Sequence, residues 1–270
     1  MNRQSFALIS AQANRQAPSM TRRLGLMLRS QARMVAEGLA QGRRHEMLKE
    51  FLPLWENQNI QTKGKLPGKY AVAGYEIAGG LMGRKSYIGL MAAKIEEPSG
   101  LDVAFGADEI ILERVDRRVT EWVAMTSRIE TQTTAERYGK IIDQALTGYV
   151  DPETGERRGV TPRDLSIAFE QQALAQSTAR SELMARTLTI WAYNEGAETH
   201  YQDAGITEKE WLTTEDDLTC PHCMTMDEQI VQTRGRFVSE GEEVAGLTVG
   251  LDTYHPPLHP HCRCALLPVL

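Results

Sequence analysis

Cysteine is scarce in this 270-residue chain, and it is unevenly placed: all four residues lie beyond position 219. Long apolar runs are missing too. No stretch approaches the roughly 18 residues needed for a membrane-spanning helix, which excludes a membrane partner of that kind. The first residues, MNRQSFALISAQANRQ, have no apolar core of the sort a secretion signal uses. The expected site of synthesis and folding is therefore a reducing cytoplasm, where disulfides are uncommon. Aromatic residues make up only 6% of the chain. Among the N-terminal arginines the only aromatic is Phe6, which argues against a platform for stacking bases. There is no HExxH, no Ser-His-Asp arrangement and no glycine loop of the phosphate-binding type, and these absences speak against the commoner hydrolases and against a small-molecule substrate. Internal repeats and low-complexity segments are also absent.

Overall charge is −6, but the distribution is polar. Residues 1–50 hold nine Arg or Lys against three Glu, a net of +6, so the other 220 residues carry −12. A basic start on an acidic body suits contact with nucleic acid or with an acidic partner surface; the plainer alternative is a solvated helix face. The contact candidates are Arg15, Arg22, Arg23, Arg29, Arg33, Arg43 and Arg44.

Hydrophobic periodicity predicts a mainly helical body. Leu24, Met27, Leu28, Met34, Val35 and Leu39 recur at helical spacing between Ser19 and about Gln41. A second apolar stretch, HEMLKEFLPLWENQ, is expected to be cut by Pro53. Seven glycines between Gly64 and Gly89 favour a loop between helices over close backbone packing. From Asp108 to Thr147 a long helix is expected, broken at most once, burying Trp122, Met125, Ile129, Tyr138, Ile141, Ile142 and Leu146. The run GYVDPETGERRG from Gly148 to Gly159 reads as a turn-rich linker. Thr161, Pro162 and Asp164 then form a helix start, with Thr161 as cap and Pro162 in the first helical position. That helix runs through LSIAFEQQALAQ. Another follows from about Thr178 to Asp203, turning Leu183, Met184, Leu188 and Trp191 to a core and ending at Gly205.

Beyond Trp211 the pattern changes to short β-like pieces (QIVQT, RFVS, GLTV) among Gly, Asp, Pro and Glu. So few large apolar side chains bury little core, and such modules need a staple. The staple candidate is explicit. Cys220 and Cys223 form a CxxC knuckle that presents two thiolates to one ion, and the chain returns with His259, His261, Cys262 and Cys264. Sulfur with imidazole selects zinc over magnesium or calcium. Two ligand sets compete: three cysteines with His259, using Cys262, or all four cysteines. Disulfides and free buried thiols stand as alternatives, although a Cys262–Cys264 bridge would be strained. A catalytic zinc would need an open position and a carboxylate base, for which Asp216, Asp217 and Asp227 are near in sequence. His45 and His200 stand apart from any such cluster, with His200 expected at a helix surface.

The expected organisation is an N-terminal helical region with a basic start and a Gly-rich connection (1–110), a helical body (111–210), and a small α+β, zinc-knuckle-like C-terminal module (211–270).

The residues of that module resemble a known family. Trp211-Leu212-Thr213-Thr214, Asp216-Asp217 and Thr219-Cys220, with Cys223, are followed by Phe237, Pro256-Pro257, His259-Pro260 and Cys262-Arg263-Cys264. Ahead of them come Ala185-Arg186-Thr187, Ala192, Asn194, Tyr201 and Gly205. The order resembles the C-terminal module of phage minor head proteins, the Mu F-like head morphogenesis family. Two positions depart from it: Leu188 stands where a Glu is frequent, and Asp227-Glu228 where an Asp-Gly turn is frequent. The resemblance covers roughly residues 120–270. It implies a minor capsid protein of a tailed phage or prophage, not an enzyme, present in the virion at the capsid interior or portal vertex after assembly in the host cytoplasm. It implies the portal protein and other capsid proteins as partners, and for some members contact with phage DNA during packaging or ejection. The competing classes are a zinc-dependent nuclease and a zinc-stapled DNA-binding protein. The latter lacks basic side chains near the knuckle, where Arg234, Arg236 and Arg263 are the only arginines beyond Arg186.

Overall fold

The computed structural model describes residues 18–64, 70, 71, 74, 78, 109–147, 161–214 and 217–269. Four long helices come first: α1 (Pro18–Ala40), α2 (Glu46–Lys63), α3 (Glu109–Thr147) and α4 (Pro162–Asp203). A module of short elements follows: β1 (Glu208–Leu212), α5 (Pro221–Met226), β2 (Ile230–Gln232), β3 (Glu243–Val244), β4 (Leu247–Thr248) and β5 (Ala265–Val269). The mainly helical class with a small mixed tail is thus the observed one. By its contacts the chain divides into two compact units interleaved in sequence. One comprises 19–64 and 120–182, the other 1–18, 65–119 and 183–270. Arg15 and the linker at 148–159 lie outside the described residues.

The first unit is a helical core. Val35, Leu39, Met47, Leu48, Trp55, Tyr138, Ile141, Ile142, Leu165 and Phe169 bury one another. Trp55 meets Tyr138 edge-on with ring centroids 5.6 Å apart, and Tyr138 meets Phe169 the same way at 5.2 Å. The Tyr138 hydroxyl donates to the Leu28 carbonyl at 3.2 Å, and burial pushes its pKa up to about 12. Pro53 does not cut α2. It is exposed, as is Lys49, whose carbonyl loses its helical partner, so water serves that group while Met47, Leu48 and Trp55 hold both halves to one core. Likewise α3 is unbroken, and its buried stripe is the expected one only in part: Tyr138, Ile141 and Ile142 are buried. Met125, Ile129 and Leu146 are exposed, and the inward positions include Ser127, Thr131 and Thr134.

Those polar positions serve a buried network. Lys63, fully buried, reaches Glu130 Oε2 at 2.5 Å, Ser127 Oγ at 3.1 Å and Thr126 Oγ1 at 3.3 Å. Burial lowers the Lys63 pKa, and the Glu130 charge opposes that shift. Asn59 Nδ2 donates to Thr131 Oγ1 at 2.7 Å. A stripe read only by apolar residues misses such a face.

α4 is one helix where two were expected, since nothing between Gln176 and Thr178 interrupts it. Its cap is as read: the Asp164 amide donates to Thr161 Oγ1 at 3.2 Å, with Pro162 as the first helical residue. Gly205 (φ 71°) ends it in a left-handed turn, with Ile206 N bonded to Tyr201 O and Gly205 N to Gln202 O.

The second unit takes the last part of α4 and the tail. Four described residues of the Gly-rich stretch, Tyr70, Ala71, Gly74 and Ala78, are helical and belong to this unit, which departs from the loop reading at those positions; most of the stretch lies outside the described residues. A Cβ on Gly74 would fall 2.2 Å from the Tyr193 carbonyl oxygen, so the close backbone approach requires glycine there. β1 is the centre of an antiparallel sheet in the order β2-β1-β5, with Trp211 opposite Leu266 and Lys209 opposite Pro268. Pro268 is tolerated because β5 is an edge strand. β3 and β4 form a separate hairpin, and Val238 bridges Thr253.

The Lys63–Glu130 pair gives a signed prediction. Glu130→Ala strands a buried ammonium and should lower stability by about 3 kcal/mol, whereas replacing both partners, Lys63→Met with Glu130→Leu, should cost far less. Urea midpoints of the two variants test this; equal losses would contradict it.

Candidate metal centre

The five sequence-predicted donors lie in two overlapping groups that share Cys223. Cys220 ends the turn after β1 and caps α5, whose first residue is Pro221; its sulfur accepts the Cys223 amide at 3.4 Å. That bond fixes the CxxC turn, with Cys223 one helical turn on and buried. The CxxC opens a short helix beside an antiparallel sheet. His259 Nε2 lies 3.0 Å from Cys220 Sγ and 3.1 Å from Cys223 Sγ. Cys223 Sγ is 3.8 Å from Cys262 Sγ. The donor atoms of Cys220, Cys223 and His259 all lie within 4.8 Å of one another, and so do those of Cys223, Cys262 and Cys264. All four cysteines are free thiols, so the disulfide alternative is not the arrangement seen. His261 is exposed, with φ 69° at a sharp turn.

Prolines orient the imidazoles. His259 Nδ1 lies 2.5 Å from the Pro260 carbonyl, which can only accept, so Nδ1 carries the proton and the Nε2 lone pair faces the sulfurs. The same His-Pro device recurs at His255, whose Nδ1 is 2.7 Å from the Pro256 carbonyl. Hydrogen bonding among the buried sulfurs spreads their acidities. Cys223 is pushed up, chiefly by donating to Cys262 and Cys264. Burial alone would raise Cys262, but the bonds it accepts from Cys223, Cys264 and the amides of Cys264 and Leu258 hold it well below the ordinary thiol range. For Cys264 the bond from Cys223 acts downward, yet its bond to Cys262 and its burial win, and it is raised. A divalent cation is what allows several thiolates so close together. Sulfur and imidazole donors, with Cys223, Cys262 and Cys264 buried and Cys220 and His259 half-buried, fit zinc.

The surrounding carboxylates have other tasks. Asp227 Oδ1 accepts the Thr213 amide at 2.8 Å, which occupies it in the turn, and Asp217 is exposed. Asp216 lies outside the described residues. His45 pairs with Asp143 at 3.1 Å, while His200 is half-buried, not a surface residue, and burial lowers its pKa against the opposing Asp203 charge. Glu228 has φ 60°, the conformation the frequent glycine of this turn would adopt without strain.

Sequence reasoning missed a second buried cluster that ties the tail to α4. Lys209 Nζ meets Glu198 Oε1 at 2.9 Å with both side chains buried, and it lies over the Phe237 ring at 5.6 Å. Glu195 takes Arg118 Nε at 2.7 Å and His255 Nε2 at 3.1 Å. Asn194 accepts the Leu266 amide at 2.9 Å, and the Tyr201 hydroxyl donates to the Leu266 carbonyl at 3.0 Å. Glu195 and Glu198 one turn apart, on an otherwise buried helix face, were the available signal.

Residues 153–267 match the family model described as Phage Mu protein F like protein. That stretch is similar to Mu F-like proteins, and the match supports a phage head morphogenesis family. The matched stretch takes in all five donors, Asn194, Tyr201 and the buried charges of α4 and β1, while residues 1–152 lie outside it. Leu188, where the family often has Glu, is buried. No curated protein and no solved structure gives a significant match. Among the described residues no helix is long and apolar enough to cross a membrane.

The strained turn yields a prediction. Glu228→Gly should raise stability by about 1 kcal/mol in chemical denaturation. An unchanged or lowered midpoint would mean that the Glu228 side chain contributes more than its backbone costs.

Proposed function

We propose that the chain is a minor capsid protein of a tailed phage or prophage, seated at the portal vertex, assisting head assembly and the packaging or ejection of the genome. The match of residues 153–267 to the Mu F-like family carries this reading. Within it, residues 211–270 form a small module stapled by a structural zinc, and the helices offer faces to the portal and other capsid proteins. The role of the ion is to hold two distant chain segments together. Supporting a structural ion, the grouped donors are sulfur and imidazole with no carboxylate among them, and Asp227 is committed to a backbone amide. This weighs against the nuclease alternative, which needs a carboxylate or histidine free to act beside the ion.

The basic start belongs to the same proposal as a contact for DNA or an acidic portal surface. Arg22, Arg23 and Arg33 are exposed along α1, whereas Arg29, Arg43 and Arg44 are half-buried. Arg43 also pairs with Glu50, and Arg33 lies 4.0 Å from Glu170.

The direct test is mass spectrometry of heads purified after induction of the host phage or prophage. The chain should be present at low copy in procapsids or mature heads and should co-purify with the portal protein. Absence from both would overturn the reading. For zinc, metal analysis with thiol titration should give one ion per chain and no reactive thiol until a chelator is added; four freely titrating thiols and no metal would remove the staple. For DNA, binding should fall steeply with salt, and replacing Arg22, Arg23 and Arg33 by Ala should lower the log–log slope by about 0.9 for each lost phosphate contact. Salt-independent binding would remove the DNA contact.

A further inference from the structure

The five donors form two overlapping groups that share Cys223, Cys220–Cys223–His259 and Cys223–Cys262–Cys264, where a tetrahedral ion takes four ligands. Resting on the zinc reading above, we infer that the ligands are Cys220, Cys223, His259 and Cys262, and that Cys264 is a supporting thiol outside the coordination sphere. The argument begins with His259. Its Nδ1 is held on the Pro260 carbonyl and its Nε2 lone pair is aimed between the Cys220 and Cys223 sulfurs, at 3.0 and 3.1 Å. This is how a metal-binding histidine is oriented, with the distal nitrogen fixed by a carbonyl. A set of four cysteines would leave that lone pair among sulfurs with nothing to bind. Three ligands are then assigned, and one of two cysteines supplies the fourth.

Cys262 is favoured by three observations. Its sulfur stands 3.8 Å from Cys223 Sγ, and two thiolates bound at about 2.3 Å to one tetrahedral zinc are about 3.8 Å apart. Its backbone is tied to the other ligand of the same turn, since the Cys262 amide donates to the His259 carbonyl at 3.1 Å. Its sulfur accepts backbone amides from Leu258 and Cys264, just as Cys220 accepts that of Cys223. Each half of the site thus has one cysteine whose charge is met by main-chain N–H groups, which suits a permanent thiolate.

Cys264 is differently placed. It directly precedes β5, and its carbonyl is 3.5 Å from Asn194 Nδ2, so its position follows the sheet and α4. Its sulfur lies near the buried Trp211 indole, whose Nε1 makes no hydrogen bond of normal geometry. Cys264 lines the apolar cluster of Trp211, Met226, Val238 and Val249. It supports the site from behind.

X-ray absorption on the zinc-loaded full chain separates the possibilities. Three sulfurs and one nitrogen are expected in the first shell. Four sulfurs would overturn the ligand set while leaving the zinc reading intact, and a purified wild-type chain that holds no zinc would overturn both. The variants distinguish Cys262 from Cys264. Cys264→Ser should keep one zinc per chain, an unchanged absorption-edge spectrum, and an affinity within about 100-fold of wild type, the range of outer-shell changes. Cys262→Ser should lose more than that or change the shell. The reverse ranking would overturn the assignment. Cobalt substitution gives a second readout, because its charge-transfer absorption should be unaltered in Cys264→Ser and reduced in any variant that loses a thiolate ligand.

Discussion

The tail depends on one convergence: the sulfur of Cys220 and the imidazole of His259, 39 residues apart in the chain, meet at 3.0 Å. Between them lie a six-residue helix, strands of two or three residues and a run of turns. None of these is stable alone, because short strands with few apolar side chains cannot offset the entropy of fixing the chain. A zinc ion bound by such a site supplies about 10 to 16 kcal/mol, as large as the whole stability of an ordinary domain. By that comparison a bound ion would be a condition of the fold and not an ornament to it.

A second constraint positions the tail on its own unit. α4 enters it as a helix buried nearly all round, with Leu188, Ile190, Ala192, Asn194, Glu195 and Glu198 all sheltered. Asn194 and Tyr201 hold the two sides of the Leu266 peptide, and Glu198 accepts Lys209 from the central strand. Buried charges of this kind add little net stability, but each is costly to leave unpaired, so they penalise any other docking of the strand. Together the ion would fix the turns among themselves and the charge pairs would fix the sheet to the helix.

Much of this was legible in the sequence, and the failures have physical causes. The donors declared themselves by spacing, the cap of α4 by Thr161, Pro162 and Asp164, and its end by Gly205. β1 was missed because its inward position 209 is a lysine, which breaks the apolar alternation, while its partner Glu198 lies eleven residues upstream on a helix. The stripe of α3 was drawn through Met125 and Ile129, because Ser127, Thr131 and Thr134 gave no apolar signal although they face Lys63 and Asn59 across a polar core. Pro53 was over-read: a proline on an exposed face costs one hydrogen bond that water replaces. Gly74 was read as loop, since a sequence cannot distinguish glycine for a turn from glycine for close contact.

The measurement closest to the central claim is amide hydrogen exchange on the full chain, with zinc and after chelation. The account predicts that the amides of Trp211, Val249 and Cys262, bonded to Gln229, Glu242 and His259, lose protection on chelation, while those around Trp55, Tyr138 and Phe169 keep theirs. Unchanged protection through residues 208–269 after the metal is removed would show that the tail stands without its ion, and would contradict the account.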